Sequence, residues 1–225
     1  MTLALLSGGL DSSTLVAFAA ADAAVFVDYG QRHIRERQSA DAIAEHYGIP
    51  LYPLDLTSYG KNVATSALTN HDIEVPHGHY AAETMAATVV PNRNAVMLSA
   101  AAGVAVSLGL ERVVTAVHAG DHAIYADCRP EFIVALDHAT FAGCGIHIDA
   151  PFVARTKTDI ARFAKTLDVP VGLTWSCYEG GEVHCGRCGT CVERAEALHD
   201  AGWDPDPTTY ADPDYWRTQV KAAGQ

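Results

Sequence analysis

Positive charge is scarce in this chain: 15 Lys and Arg stand against 27 Asp and Glu in 225 residues, a formal net charge of −12. A protein that grips polyanions along a broad face needs cations to neutralise phosphates, which excludes a general nucleic-acid binder and an anionic-membrane binder. Long hydrophobic runs are missing too. The most apolar stretch, Ala95 to Leu110, is too short to span a bilayer and carries Ser99, Gly103 and Ser107. The opening Met1 to Leu6 has no basic residue and is broken by Ser7-Gly8-Gly9, unlike a secretory signal, so a soluble cytoplasmic protein is expected. No internal repeat is visible. What is plentiful is apolar side chain, 49% of the residues, which excludes a disordered chain and suits one sizeable domain with a small appendage.

Short apolar runs alternate with helical stretches. Thr2 to Leu6 reads as a strand, followed by a Gly-rich turn and a helix over Ser12 to Ala21; Ala24 to Val27 reads as a second strand and residues 34–47 as its helix. Leu51 to Leu54 is a third strand, placed at a sheet edge by Pro53. Arg112 to Val117 and Ile146 to Ile148 supply two more, with helices expected at Asn94 to Leu108, Pro130 to Phe141, Lys157 to Leu167 and Val192 to Ala201. Such alternation predicts an α/β fold, a parallel sheet with helices on both faces. Thr57 to Pro91 has little periodicity and reads as functional loops. A nucleotide-binding domain is expected over residues 1–170 and a cysteine-bearing region over 171–225, ending in an irregular Pro- and Asp-rich tail from Asp204.

The run Leu6-Ser7-Gly8-Gly9-Leu10-Asp11-Ser12-Ser13-Thr14 falls where a parallel-sheet protein binds phosphate, between its first strand and the following helix. Glycines let the backbone approach phosphate oxygens, Ser7 and Ser12 supply hydroxyls, and Asp11 suits Mg²⁺ or loop orientation. The loop has no Gly-Lys-Ser/Thr, so it is not a Walker A loop, and no Gly-x-Gly-x-x-Gly, which weighs against a dinucleotide fold. A bare Gly-Gly would mean only a turn. The complete Ser-Gly-Gly-x-Asp-Ser run in this position points to phosphate.

Cys177, Cys185, Cys188 and Cys191 crowd together among glycines 180, 181, 186 and 189. Four soft thiolates on a short loop suit tetrahedral Zn²⁺ at ~2.3 Å, and a closed shell makes that metal structural. An iron–sulfur cluster also fits three closely spaced cysteines, and two disulfides would need an oxidising compartment. His77 and His79 lack a third ligand nearby and read as loop.

The phosphate run resembles the PP-loop of the N-type ATP pyrophosphatases. That resemblance implies ATP as substrate with Mg²⁺, pyrophosphate as leaving group, adenylation at the α-phosphorus, catalytic roles for Ser7, Asp11 and Ser12, and an adenine site beside Val27, Asp28 and Tyr29. Together with Asp28 to His33, Val90-Pro91-Asn92-Arg93-Asn94, Asp127 to Phe132, Thr156-Lys157 and the four cysteines, the order of segments from Leu3 to about His199 is similar to the 7-cyano-7-deazaguanine synthases. Membership would imply 7-carboxy-7-deazaguanine and ammonia as further substrates, structural Zn²⁺ and a homodimer. It would also imply substrate contacts from Arg32, His33, Arg93, Asn94, Asp127, Arg129 and Glu131, with Arg93 and Lys157 also catalytic. Carboxylates such as Asp127 and Glu131 suit a guanine-like edge, and Arg suits carboxylate or phosphate. His33 and His118 are candidates for moving protons from ammonia. The chain departs from that family's pattern at Asn92, where Gly is usual, and over residues 119–126. Asn tolerates left-handed backbone angles, so the loop is expected to keep its shape. Other readings are a different PP-loop ligase or tRNA thiolase, against which the acidic balance and clustered cysteines speak, and a non-catalytic zinc and nucleotide binder.

Overall fold

A computed structural model of the chain describes residues 1–31, 35–81 and 85–223. Five strands, β1 Thr2–Leu5, β2 Ala23–Asp28, β3 Leu51–Asp55, β4 Arg112–Val114 and β5 His147–Asp149, form one parallel sheet in the order β3-β2-β1-β4-β5. The edge position expected for the Pro53 strand is the one observed. Register is set by side-chain alternation. Leu3, Val25, Val27, Val113 and Ile148 turn to one face, whereas Ala4, Leu6, Ala24, Phe26 and Val114 turn to the other. Both faces are covered, as an all-parallel sheet requires.

Over the first face lie α4 (Arg93–Ser107) and α5 (Pro130–Cys144), which pack Met97, Leu98, Ala101 and Ile133 against those strand residues. Over the second lie α1 (Leu10–Phe18), α2 (Arg35–Tyr47) and α6 (Lys157–Thr166), contributing Leu15, Ile43 and Ile160. Leu98, Leu15, Ile43 and Ile160 are all fully buried, and each truncation to Ala would cost about 2–5 kcal/mol. α7 (Gly189–Asp200) sits on α1 and α6 through a third apolar cluster, in which Leu10, Ala161 and Ala164 meet Ala197 and Leu198.

Several expectations are corrected. The tail is not wholly irregular, because Tyr215–Ala223 forms a helix, α8, which packs on α7. Thr57 to Pro91 holds the short helix α3 (Thr57–Asn62) as well as loops. β4 stops at Val114 rather than running to Val117, and the residues beyond it leave the sheet to line a cavity. Among the described residues no helix is long and apolar enough to cross a membrane.

Candidate active site and metal centre

From β1 the chain crosses to β2 on one side, and β4 lies on the other. Ligands bind outside the carboxyl ends of strands at such a switch point. A cavity of about 220 Å³ opens there, floored by Leu6 and Ser7 after β1 and by Thr115 to His118 after β4. The loop between β1 and α1 holds its own shape. The Ser12 hydroxyl accepts from the Ser7 amide at 3.2 Å and lies 3.0 Å from the Ser7 hydroxyl, while the Ser7 oxygen accepts from the Gly9 amide at 3.3 Å. Gly8 has φ +83°, and a Cβ there would stand 2.6 Å from the carbonyl oxygen of Glu36 and 2.7 Å from the Ala40 amide. Only glycine lets α2 come this close to the loop.

Charged side chains from four segments meet beside this loop. Lys157 reaches Asp11 Oδ2 at 2.5 Å and Glu193 Oε2 at 3.6 Å. Lys157 begins α6 behind Thr156, whose hydroxyl accepts from the Asp159 amide in a capping box. A lysine at a helix N-terminus opposes the dipole, so its charge must be offset by partners. Burial alone would lower the Lys157 ammonium, but Asp11 and Glu193 outweigh burial and hold it above its usual value. Opposite stands buried His118, 4.0 Å from Asp11 Oδ2 and 3.7 Å from Asp121 Oδ1. Its Nδ1 accepts from the Gly120 amide at 3.1 Å, which leaves the ring hydrogen on Nε2 and makes His118 a donor toward the cavity, not a proton acceptor. The Tyr80 hydroxyl donates to Asp121 Oδ1 at 3.1 Å. Asp11 Oδ1 is buried and, among the described residues, has no hydrogen-bond partner.

A second group surrounds Arg93. Its guanidinium lies 5.6 Å above the Tyr29 ring and 5.8 Å from the Tyr125 ring, and Nη1 donates to the Tyr29 hydroxyl at 3.3 Å. Glu36, in the first turn of α2, also lines the cavity. Burial pushes its carboxyl up to about 7, against the opposing pull of Arg93 and of a hydrogen bond from Gln31. Gln31 itself pins the end of β2, accepting from the Tyr29 amide at 2.8 Å and donating to the Val27 carbonyl at 3.1 Å.

The four cysteines also converge. Their sulfurs lie within 4.8 Å of one another, with Cys185 and Cys191 at 3.9 Å. Thiolates around one Zn²⁺ at ~2.3 Å stand about 3.8 Å apart, so the cluster fits that ion. Backbone amides of Cys188 and Arg187 donate to Cys185 Sγ at 3.3 Å, and the Cys185 amide donates to Cys177 Sγ at 3.3 Å, as suits thiolates. One turn past Cys191 lies Arg194, fully buried. It donates to Thr208 Oγ1 at 3.0 Å, Thr174 Oγ1 at 2.8 Å, Ser176 Oγ at 3.1 Å and the Val171 carbonyl at 3.0 Å. Residues interleaved with the cysteines, Ser176, Tyr178, Thr190 and Glu193, form one wall of the cavity.

The model of the queuosine biosynthesis protein QueC matches residues 1–202. The chain belongs to the QueC family. Two similar curated proteins, each named 7-cyano-7-deazaguanine synthase, come from Brucella anthropi, 50% identical over 98% of this chain and 97% of that one, and from Rhizobium meliloti, 51% identical over 96% and 94%. Among solved structures, the NMN synthetase of Francisella tularensis is similar at 13% identity and TM-score 0.48, covering 100% of this chain and 86% of that one.

In this QueC-family chain the residues singled out by sequence fall into four groups. Leu6, Ser7, Gly9, Leu10, Asp11, Ser12, Val27, Tyr29, Arg93, Asn94 and Lys157 line the cavity. Ser13 and Thr14 are buried behind the loop in α1, where the Thr14 hydroxyl donates to the Leu10 carbonyl at 2.7 Å. Asp28, Asp127, Arg129 and Glu131 do not line the cavity. Asp28 accepts from the Gly30 amide at 2.9 Å; Asp127 accepts from the Asn94 amide at 2.8 Å and so braces α4; Arg129 donates to the His122 carbonyl at 2.9 Å; Glu131 is exposed in the first turn of α5. Arg32 and His33 lie outside the described residues. Asn92 adopts φ 59° and ψ 23°, the left-handed conformation expected of a Gly substitute. Sequence reasoning passed over Glu36, Tyr80, Asp121, Tyr178 and Glu193. Glu36 falls three residues beyond the Asp28 to His33 run, and nothing local in the sequence marked it or the others.

Proposed function

We propose that the chain is a 7-cyano-7-deazaguanine synthase, which converts 7-carboxy-7-deazaguanine and ammonia to the nitrile at the expense of ATP. One observation carries the reading: the phosphate loop, Lys157 and Arg93 open onto a single cavity in a chain half identical, over almost its whole length, to proteins of that name. Ser7, Ser12 and the loop amides hold the departing pyrophosphate oxygens. Lys157 offsets the charge that builds where the substrate carboxylate approaches the α-phosphorus, and Asp11 fixes the lysine in place. Attack of a carboxylate oxygen forms the acyl adenylate; ammonia displaces AMP to give the amide; the amide oxygen is adenylated in turn, and loss of AMP with the remaining N–H proton leaves the nitrile. The orphaned, buried Oδ1 of Asp11 suits a divalent cation, and Mg²⁺ held there would neutralise phosphate charge. The four thiolates would hold structural Zn²⁺, with residues 171–225 as the region organised around it. The resemblance also supports a homodimer, which sedimentation velocity tests.

The deciding experiment incubates the protein with ATP, Mg²⁺, ammonium and the 7-carboxy substrate. AMP and a nitrile product are expected. A protein that forms neither is not this synthase, and one that releases AMP only with another carboxylate is a different PP-loop enzyme.

A further inference from the structure

The carboxylates that line the cavity among the described residues are Asp11, Glu36, Asp121 and Glu193. Three are committed to one cluster. Asp11 and Glu193 face the Lys157 ammonium, and Asp121 accepts from the Tyr80 hydroxyl at 3.1 Å and the His118 amide at 3.1 Å. Glu193 feels Lys157, Asp121 and Asp11, whereas Glu36 is felt by Tyr29 and Tyr178 and itself feels Arg93. The cavity therefore holds two separate polar clusters, and Glu36 is the carboxylate of the second. It is fixed relative to the phosphate loop, because its own carbonyl oxygen packs against Gly8.

Resting on the proposed substrate, we infer that Glu36 is a specificity residue that accepts the paired N–H donors on the pyrimidine edge of the 7-deazaguanine ring. That edge carries a ring N–H beside an exocyclic amino group, two donors side by side, on the side of the bicycle away from the reacting 7-carboxylate. A carboxylate has two acceptor oxygens at the matching spacing. Adenine presents one amino donor beside a ring-nitrogen lone pair, which a carboxylate oxygen repels, so the same group discriminates the substrate from the adenosine of ATP. Gln31, which pulls the Glu36 carboxyl back down against burial, is itself anchored to the Val27 carbonyl at the end of β2. Burial raises Glu36 to about 7 and so makes the ionised form costly in the empty cavity, a cost that two N–H donors from a ligand would offset. Asp127 and Glu131, the carboxylates favoured from sequence for this task, lie off the cavity.

The test compares 7-carboxy-7-deazaguanine with its analogue lacking the 2-amino group. The unaltered protein is expected to favour the parent by about 5- to 150-fold in kcat/KM. Glu36→Gln, which presents one donor and one acceptor, is expected to lose that preference while its KM for ATP stays within about twofold, and Glu36→Asp to recover part of it. An unaltered protein that makes nitrile from both compounds equally well overturns the assignment without any variant being needed. A Glu36→Gln variant whose defect lies in the KM for ATP overturns it as well. If the unaltered protein makes no nitrile from the parent compound, it is the proposed function that fails.

Discussion

Trp175 donates its backbone N–H to the carbonyl oxygen of Gly8 at 2.8 Å, joining the cysteine-bearing region to the phosphate loop. The indole of the same residue donates to the Cys177 carbonyl at 2.9 Å, so one residue spans the cysteine cluster and the loop. Chelation of zinc should therefore weaken ATP binding before the sheet unfolds. Titration with a chelator, followed by nucleotide affinity and far-ultraviolet circular dichroism in parallel, is expected to show loss of affinity while the β and α signals persist. Cys188→Ser should bind less zinc and melt earlier, and full metal content in that variant would remove the four-cysteine assignment.

Arg194 is buried with four neutral acceptors and, among the described residues, no carboxylate within ion-pair distance. A buried cation is costly unless compensated, and four thiolates around a divalent ion carry a net negative charge one helical turn away. Arg194→Met should lower zinc affinity by about 10- to 100-fold in competition with a chromophoric chelator. The rise in melting temperature on adding zinc should shrink with it.

Lys157→Met leaves Asp11 and Glu193 facing each other without a cation. The loss is expected to be about 3 kcal/mol in denaturant unfolding, because an uncompensated partly buried charge remains. Adding Asp11→Asn to that variant should restore part of the stability and none of the AMP release. Ser7→Ala and Asp11→Ala alone should abolish AMP release with the fold intact.

Gly8→Ala places a methyl group 2.6 Å from a backbone oxygen at φ +83°. Strain of about 1–3 kcal/mol is expected, together with loss of ATP binding by calorimetry. Retained affinity would mean that α2 and the loop move apart more freely than their contact indicates.

Burial raises the pKa of Glu36 from 4.5 to about 7. A folded state that holds its proton more tightly than the unfolded chain is most stable, as far as this group is concerned, below pH 4.5, and it loses that stability as pH climbs through about 7. Melting temperature measured across this window should fall in the unaltered protein relative to Glu36→Gln, with Arg93, Tyr29 and Tyr178 as the facing groups common to both.

Contiguity explains what could be read from the chain. Ser7 to Ser12 and Cys177 to Cys191 each place their chemistry within one short segment, and the strand pattern around Leu3, Val25 and Val113 is set by local alternation and burial on both faces. The walls of the cavity are different, since Glu36, Tyr80, Asp121 and Glu193 come from four segments brought together only by the strand order β3-β2-β1-β4-β5. Asp127 sat in a matched segment, yet its direction depends on a single 3-10 turn, Ala126–Cys128, which points it at the start of α4. A short turn of this kind leaves no periodic trace in sequence.

The floor of the cavity is made of strand ends and the phosphate loop, whereas its walls are made of the 119–126 turns and the cysteine region. Substitutions in the walls can therefore alter which carboxylate fits without touching the loop that holds phosphate.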